Sequence, residues 1–433
     1  MGTIILTALI LLELAFLVWN IAGGNLHRKE KAVSAVAIFL IFLTLCLTGV
    51  LEWGFRYYFF GIALAVQTII AAVRLFKSDK PETESGVIAK SVWRFVGKTI
   101  LYTTALSLAV ICPQFTELEP TGQYNVLEAK YTWTDESRLE TFTETGESRK
   151  ITLRVWYPEN CPEKTPLIIF SHGAFGFSGS NYSTCAELAS RGYTVVGIYH
   201  TYHALFTADT EGKTTIADII NTVMEHNATD HPEKEYADNK EWLDLRVKDI
   251  GFALDTIKGL AAGGGGVFGN TDVNRIGLLG HSMGGEAAAQ TARNRSDISA
   301  VVNLDGTLTG DEIEFVDGAA VFTDEPFPVP MLVIYSEYLY DLAVEYESEG
   351  YEYVNFNTER ISDNVISTCF RGSGHLNFTD LPLFSPMLGK VLGSMGTGEI
   401  DSLYCINTMN ELCGAFFDYA LKGGEKPEIA KEY

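Results

Sequence analysis

Basic residues are in short supply: 32 Lys and Arg stand against 55 Asp and Glu, a formal net charge of −23, and the few cations are scattered. A chain so acidic repels phosphate, which excludes a general nucleic-acid binder. None of the seven cysteines forms a Cys-x-x-Cys pair, so neither a zinc ribbon nor a dithiol redox centre has a basis here. Seven in 433 residues are also too few for a small disulfide scaffold. Internal repeats and low-complexity tracts are missing as well, and 47% hydrophobic residues exclude a disordered chain.

What is present divides into two unlike parts. Up to Cys112 there are 10 Lys and Arg against 6 Asp and Glu; the remainder carries 22 against 49. Four apolar stretches, Thr3 to Ala22, Ala32 to Leu51, Tyr57 to Leu75 and Phe95 to Cys112, lie in the first part. Each approaches the roughly 20 residues a helix needs to cross a bilayer. The first has no basic n-region, and three more follow it, so a cleaved signal peptide is disfavoured. Glu13 falls mid-span and is expected to be protonated or paired with another helix. Arg28, Lys29 and Lys31 follow the first stretch, and Arg74, Lys77, Lys80, Lys90, Arg94 and Lys98 follow the third. Cations concentrate in cytoplasmic loops, so a multi-pass cell-membrane protein is expected, with its N-terminus and everything past the fourth stretch outside the cytoplasm. The expected organisation is a membrane domain over 1–113, a linker over 114–123 and a second domain over 124–433.

In that second domain, runs rich in β-formers recur at Val126 to Trp133, Lys150 to Tyr157, Leu167 to Phe170, Thr194 to Tyr199, Arg275 to Leu279, Ala300 to Leu304, Met331 to Tyr335 and Val365 to Phe370. Several are unbroken apolar runs, as parallel strands buried on both faces require. Helical spacing covers Leu243 to Leu260, Gly284 to Arg293 and Ser402 to Leu421. This alternation predicts an α/β fold whose sheet has helices on both faces. Five cysteines fall here, an odd number, and Cys405 and Cys413 sit too far apart on one helix to bond each other.

The fifth run leads into Gly280-His-Ser282-Met-Gly284-Gly285. This is Gly-x-Ser-x-Gly between an apolar strand and a small-residue helix, the setting of a nucleophile elbow. A serine nucleophile needs a base and an orienting acid. His375, in the loop Arg371-Gly-Ser-Gly-His375, is the only histidine after His281. Asp305 at the end of the sixth run and Asp341 beyond the seventh both preserve the order Ser, Asp, His, so order leaves the acid open. Met283, the residue after the serine, is expected to give one backbone N–H to an oxyanion hole, and the loop Ser171 to Gly176 the other.

The runs Ile168-Ile-Phe-Ser-His172-Gly173, Gly-His-Ser-Met-Gly-Gly, Leu304-Asp305, Ile334-Tyr-Ser-Glu337 and His375-Leu-Asn-Phe resemble α/β-hydrolases related to platelet-activating-factor acetylhydrolase, over about residues 124–423. The resemblance implies an eight-stranded, mostly parallel α/β-hydrolase sheet and a serine esterase without a cofactor or catalytic metal. That family takes its acid from the end of strand six, 23 residues after the serine, which implies Asp305. Dienelactone-hydrolase and polyester-hydrolase relatives place it after strand seven, which keeps Asp341 in play. The family pattern also implies Ala174, or failing that Phe175, as the second oxyanion donor, and substrate contacts from Phe175 and from the loop holding His200. His200-Thr-Tyr-His203 lacks an accompanying carboxylate or cysteine cluster, so no metal is expected. The expected partners are a small-molecule or lipid ester and the bilayer. Residues 341–357, rich in Glu and Tyr, are expected to be a solvated loop, and sequons stand at Asn181, Asn227 and Asn377. The competing reading is an inactive hydrolase-fold binding or sensor domain on a membrane anchor.

Overall fold

The computed structural model describes residues 1–76, 84–115, 117–218 and 232–433. Lys77, Lys80 and the Asn227 sequon lie outside the described residues. The chain divides into two compact units: Met1–Thr116 with Leu383–Leu388, and Glu117–Pro382 with Gly389–Tyr433.

Among the described residues the first unit is built on four long helices, α1 (Gly2–Gly23), α2 (Arg28–Leu47), α3 (Tyr58–Leu75) and α4 (Glu84–Ile111). All four are long and apolar enough to cross a membrane. Two boundaries differ from the sequence expectation. Helix α2 ends four residues early because Thr48 caps it and Gly49 takes a left-handed φ of 75°. Helix α4 begins about three turns earlier, since polar residues before Phe95 continue a helix without extending its apolar stretch.

The second unit carries an eight-stranded sheet in the order β1 (Val126–Leu139), β2 (Ser148–Pro158), β4 (Thr194–Tyr199), β3 (Thr165–Ser171), β7 (Thr271–His281), β8 (Ala300–Leu304), β11 (Met331–Ser336) and β12 (Val365–Phe370). Strand β2 runs antiparallel to both β1 and β4, whereas β4, β3, β7, β8, β11 and β12 are mutually parallel. Every residue of β3, β4, β8 and β11 is buried, which is why these strands read as continuous apolar runs. One face is covered by α6 (Pro232–Ala262) and α7 (Met283–Asn294), through Leu243, Ile250, Leu254, Ala288 and their neighbours. The other is covered by α5 (Tyr182–Ser190) and α10 (Ser402–Lys422), through Leu188, Met409, Phe416 and Phe417. Burying each of those phenylalanines contributes about 2–3 kcal/mol.

Two small hairpins escaped the sequence reading: β5 (Phe206–Ala208) with β6 (Thr214–Ile216), and β9 (Glu312–Val316) with β10 (Ala319–Phe322). The expected loop over 341–357 is instead largely helical, with α8 (Glu337–Ser348) and α9 (Val354–Ile361). Ser336 starts α8 by accepting a hydrogen bond from the Leu339 amide, and the Glu, Leu, Ala and Tyr that follow sustain the turn. The sequon asparagines Asn181 and Asn377 are fully buried, so neither is open to glycosylation in this fold. All seven cysteines are free.

Candidate active site

The end of β7 enters α7 through Ser282, whose φ of 55° and ψ of −130° form a sharp turn with a backbone conformation that L-residues rarely hold. The turn closes only because Gly280 and Gly284 lack side chains: a Cβ at Gly280 would overlap the Gly284 carbonyl, and one at Gly284 the Ser171 carbonyl. Ser282 N–H donates to the Leu304 carbonyl, and its own carbonyl accepts from Gly285 and Glu286, so the serine sits at the N-terminal end of α7.

Asp305 follows β8 with a φ of 56° and is 2% exposed. Its Oδ1 accepts from the Ser336 amide at 2.6 Å, and its Oδ2 from the Ser336 hydroxyl at 2.7 Å. The same Oδ2 lies 2.7 Å from His375 Nδ1. The structure thus brings Asp305 and His375 together. Asp341 is placed elsewhere, on exposed α8, paired with Arg371 at 3.0 Å. The His375 ring packs against that of His281, centroids 4.6 Å apart, and His281 Nε2 meets the His375 carbonyl at 3.0 Å. His375 is thereby held beside the residue preceding the serine. Among the described residues no hydrogen bond joins the Ser282 hydroxyl to the His375 ring; such contacts often close only when substrate is bound.

The loop after β3 lies against the elbow. A Cβ on Gly173 would stand 2.8 Å from His281 Nδ1 and 3.1 Å from the Ser282 Cβ, so only glycine fits there without displacing the serine. His172, fully buried, has its Nδ1 2.7 Å from the Gly173 carbonyl, and its Nε2 accepts the His200 amide at 3.4 Å. Burial, and then the nearby Arg246 charge, lower its pKa well below the ordinary histidine value. A neutral ring with a proton on Nδ1 satisfies both contacts. It then donates to the carbonyl of the peptide whose N–H belongs to Ala174. Phe175 is 39% exposed with a φ of 57°.

Buried polar residues complete the surroundings. His200 is fully enclosed, with Nε2 2.9 Å from the Ser171 hydroxyl and Nδ1 3.0 Å from Asp249 Oδ2. Both ring nitrogens are taken, so the structure places His200 behind the loop. Asp249 also accepts two hydrogen bonds of 2.7 Å from Arg149 and one of 2.9 Å from Arg138, while Arg149 reaches Glu140 at 3.0 Å. Burial opposes its ionisation, yet Arg149 holds the Asp249 carboxyl well below the usual range. One turn earlier on α6, buried Arg246 donates to the His172 carbonyl and, at 3.3 Å, to His203 Nδ1. Glu286, four residues past the serine, accepts from Thr309 Oγ1 at 2.9 Å, and burial pushes its pKa up to about 7. The sequence carried one signal for this group: Arg246 occupies the apolar stripe of α6 between buried Leu243 and Ile250.

The chain is similar to several known proteins. The model of the family described as platelet-activating factor acetylhydrolase, isoform II, matches residues 154–426. Platelet-activating factor acetylhydrolase of Cavia porcellus is 25% identical over 281 residues, covering 60% of this chain and 58% of that protein. The Bos taurus protein of that name is 26% identical over 271 residues, covering 59% and 56%. A probable 1-alkyl-2-acetylglycerophosphocholine esterase of Arthroderma benhamiae is 30% identical over 149 residues, covering 34% and 33%. The chain therefore spans less than three fifths of the length of these curated relatives. Among solved structures, a ferulic acid esterase from Streptomyces cinnamoneus aligns with a TM-score of 0.53 at 21% identity, covering 71% of this chain and 94% of that one. That likeness establishes the α/β-hydrolase fold.

Proposed function

The chain belongs to the platelet-activating factor acetylhydrolase isoform II family, and on that premise we propose that it is a membrane-anchored serine hydrolase that cleaves carboxylic esters through an acyl-enzyme. The observation that carries this reading is the 2.7 Å contact between Asp305 and His375, held beside a serine on a strained elbow. Ser282 Oγ attacks the ester carbonyl carbon while His375 Nε2 takes its proton. Asp305 holds the other ring nitrogen and stabilises the imidazolium. The amides of Met283 and Ala174 donate to the oxyanion. Collapse expels the alcohol, protonated by His375; water, deprotonated by the same ring, then attacks the acyl-serine and releases the carboxylic acid. The chemistry requires no cofactor. Names of the relatives support short acyl chains and phospholipid-type esters as substrates, and hence a role in lipid degradation.

Phe175, exposed on the oxyanion loop itself, serves as a substrate contact. His200 acts through Ser171 as a positioning residue. In the proposed organisation residues 1–113 form the membrane domain, 114–123 a linker and 124–433 the catalytic domain, held on the extracytoplasmic side by the cations gathered around the α1–α2 and α3–α4 junctions. A fluorophosphonate probe applied to the full chain in micelles should label Ser282, identified by peptide mapping, and Ser282→Ala should remain unlabelled. Labelling of another residue would remove Ser282 as nucleophile. Single cysteines at the N-terminus and in the 77–83 connection between α3 and α4, after the native ones are replaced, should react with an impermeant thiol reagent only at the N-terminus. Reaction of the connection alone would invert the orientation.

A further inference from the structure

The four apolar helices enclose a polar cluster with more donors than acceptors. Glu13 of α1, 6% exposed, pairs with Arg94 Nη2 of α4 at 3.3 Å. One turn along α4, Lys98 Nζ lies 3.4 Å from the Tyr102 hydroxyl, which in turn donates to Gln67 Oε1 of α3 at 3.1 Å. Lys31, at the start of α2, is 6% exposed, and its Nζ stands 5.7 Å over the Phe16 ring. The charges facing Lys31 are Arg94, Glu13, Arg28 and Glu30; those facing Lys98 are Arg94, Glu13 and Arg74. Among the described residues neither lysine has a carboxylate within ion-pair distance; Glu13, already paired with Arg94, is the acid that faces all three cations, and Glu30 faces Lys31 alone.

The hydrogen-bond balance has the same sign. Arg94 Nε and Gln67 Nε2 are buried donors without a partner, whereas the Gln67 oxygen is already engaged by Tyr102. Packing gives no reason to keep such a group in an apolar bundle, because unpaired charges and unmade hydrogen bonds are both costly there. Lys31, being enclosed, has not extended its ammonium into the surroundings as a snorkelling lysine would. An acceptor-rich anion relieves both imbalances at once.

We propose that this unit binds the anionic headgroup of a lipid at Lys31, Arg94, Lys98 and Gln67. The ligand class is an amphiphile with a phosphate or carboxylate beside its acyl chain. The membrane supplies the first as phospholipid; ester hydrolysis supplies the second as released fatty acid. The inference rests on the membrane-spanning reading of α1–α4, and Glu13 serves to orient Arg94 toward the same centre.

The test uses the full chain carrying Ser282→Ala, so that no lipid is turned over, with native mass spectrometry in detergent. The probes are dioleoylphosphatidylglycerol, dioleoylphosphatidylcholine, oleate and inorganic phosphate. Retention of phosphatidylglycerol or oleate over phosphatidylcholine is expected, and which of the two is retained identifies the source. Adding Lys31→Met and Lys98→Met together should weaken that retention about tenfold or more, while Lys98→Arg preserves it. With Ser282 restored, the double variant should hydrolyse a soluble p-nitrophenyl ester at the parent rate, which establishes that it is folded. Equal retention of anionic and zwitterionic lipid, unchanged retention by the double variant, or saturation by inorganic phosphate alone would overturn the proposal. Release of the chain from membranes by alkaline carbonate would instead remove the spanning reading beneath it.

Discussion

Asp305 has both carboxylate oxygens occupied: Ser336 takes one through its amide and the other through its hydroxyl, and His375 shares the second. A fixed, buried acid of this kind sets the tautomer of the ring it faces. Asp305→Asn should therefore lower kcat by about 10⁴-fold, whereas Asp341→Asn, altering an exposed pair with Arg371, should leave kcat/KM almost unchanged. Steady-state kinetics of the two variants decides it, and the reverse order would move the acid to the segment after β11. Ser282 and His375 were legible in the sequence because a turn of that shape demands Gly-x-Ser-x-Gly and because only one histidine follows it. Asp305 could not be separated from Asp341 without family resemblance, since both preserve chain order. Ser336 was invisible: its role depends on β11 lying beside β8, a pairing no local pattern encodes.

At the scale of elements, α6 acts as a splint for the oxyanion loop. Arg246 and Asp249, three residues apart on its buried face, reach the loop by two routes, one to the His172 carbonyl and one through His200 to Ser171. A displacement of about 1 Å in such a loop costs on the order of 10²-fold in rate. Arg246→Gln should accordingly lower kcat by roughly that factor with little change in KM, and Arg246→Lys, which keeps a donor, should recover part of it. Equal losses in kcat and folding yield for both variants would mean that the arginine only supports the core. The central strands were readable from their apolar runs because both faces are buried. The β5–β6 and β9–β10 hairpins were not, being three to five residues long and partly exposed. The acidic stretch after β11 has the charge density of a solvated loop, yet its Glu, Leu, Ala and Tyr residues and the serine cap at its start make it helical.

Over the whole molecule, the enclosed titratable groups set the response to acid. Burial holds His172 and His203 well below the ordinary histidine value, His200 at about 4 and His281 at about 3. Unfolding frees these rings to bind protons below about pH 6.5, so their contribution to stability is lost as pH falls from there. Burial raises Glu286 to about 7 and Asp380 to about 6, and Glu312 and Glu359 less far; these act in the opposite sense, losing stability as pH rises from the ordinary carboxylate range up to those values. Between pH 5 and 7 the four imidazoles are opposed mainly by Glu286 and Asp380 and only weakly by the less displaced Glu312 and Glu359, so the Tm of the hydrolase unit should be higher at pH 7 than at pH 5; calorimetry giving the opposite order would contradict these assignments. The central claim, that the fold carries a working serine esterase, is tested most directly by the full chain in micelles acting on p-nitrophenyl acetate, butyrate and octanoate beside Ser282→Ala. Turnover that falls by on the order of 10⁴- to 10⁶-fold in the variant is the predicted result. Equal rates in the two proteins, or no turnover by a folded chain that also resists a fluorophosphonate, would contradict it and leave a binding domain on a membrane anchor.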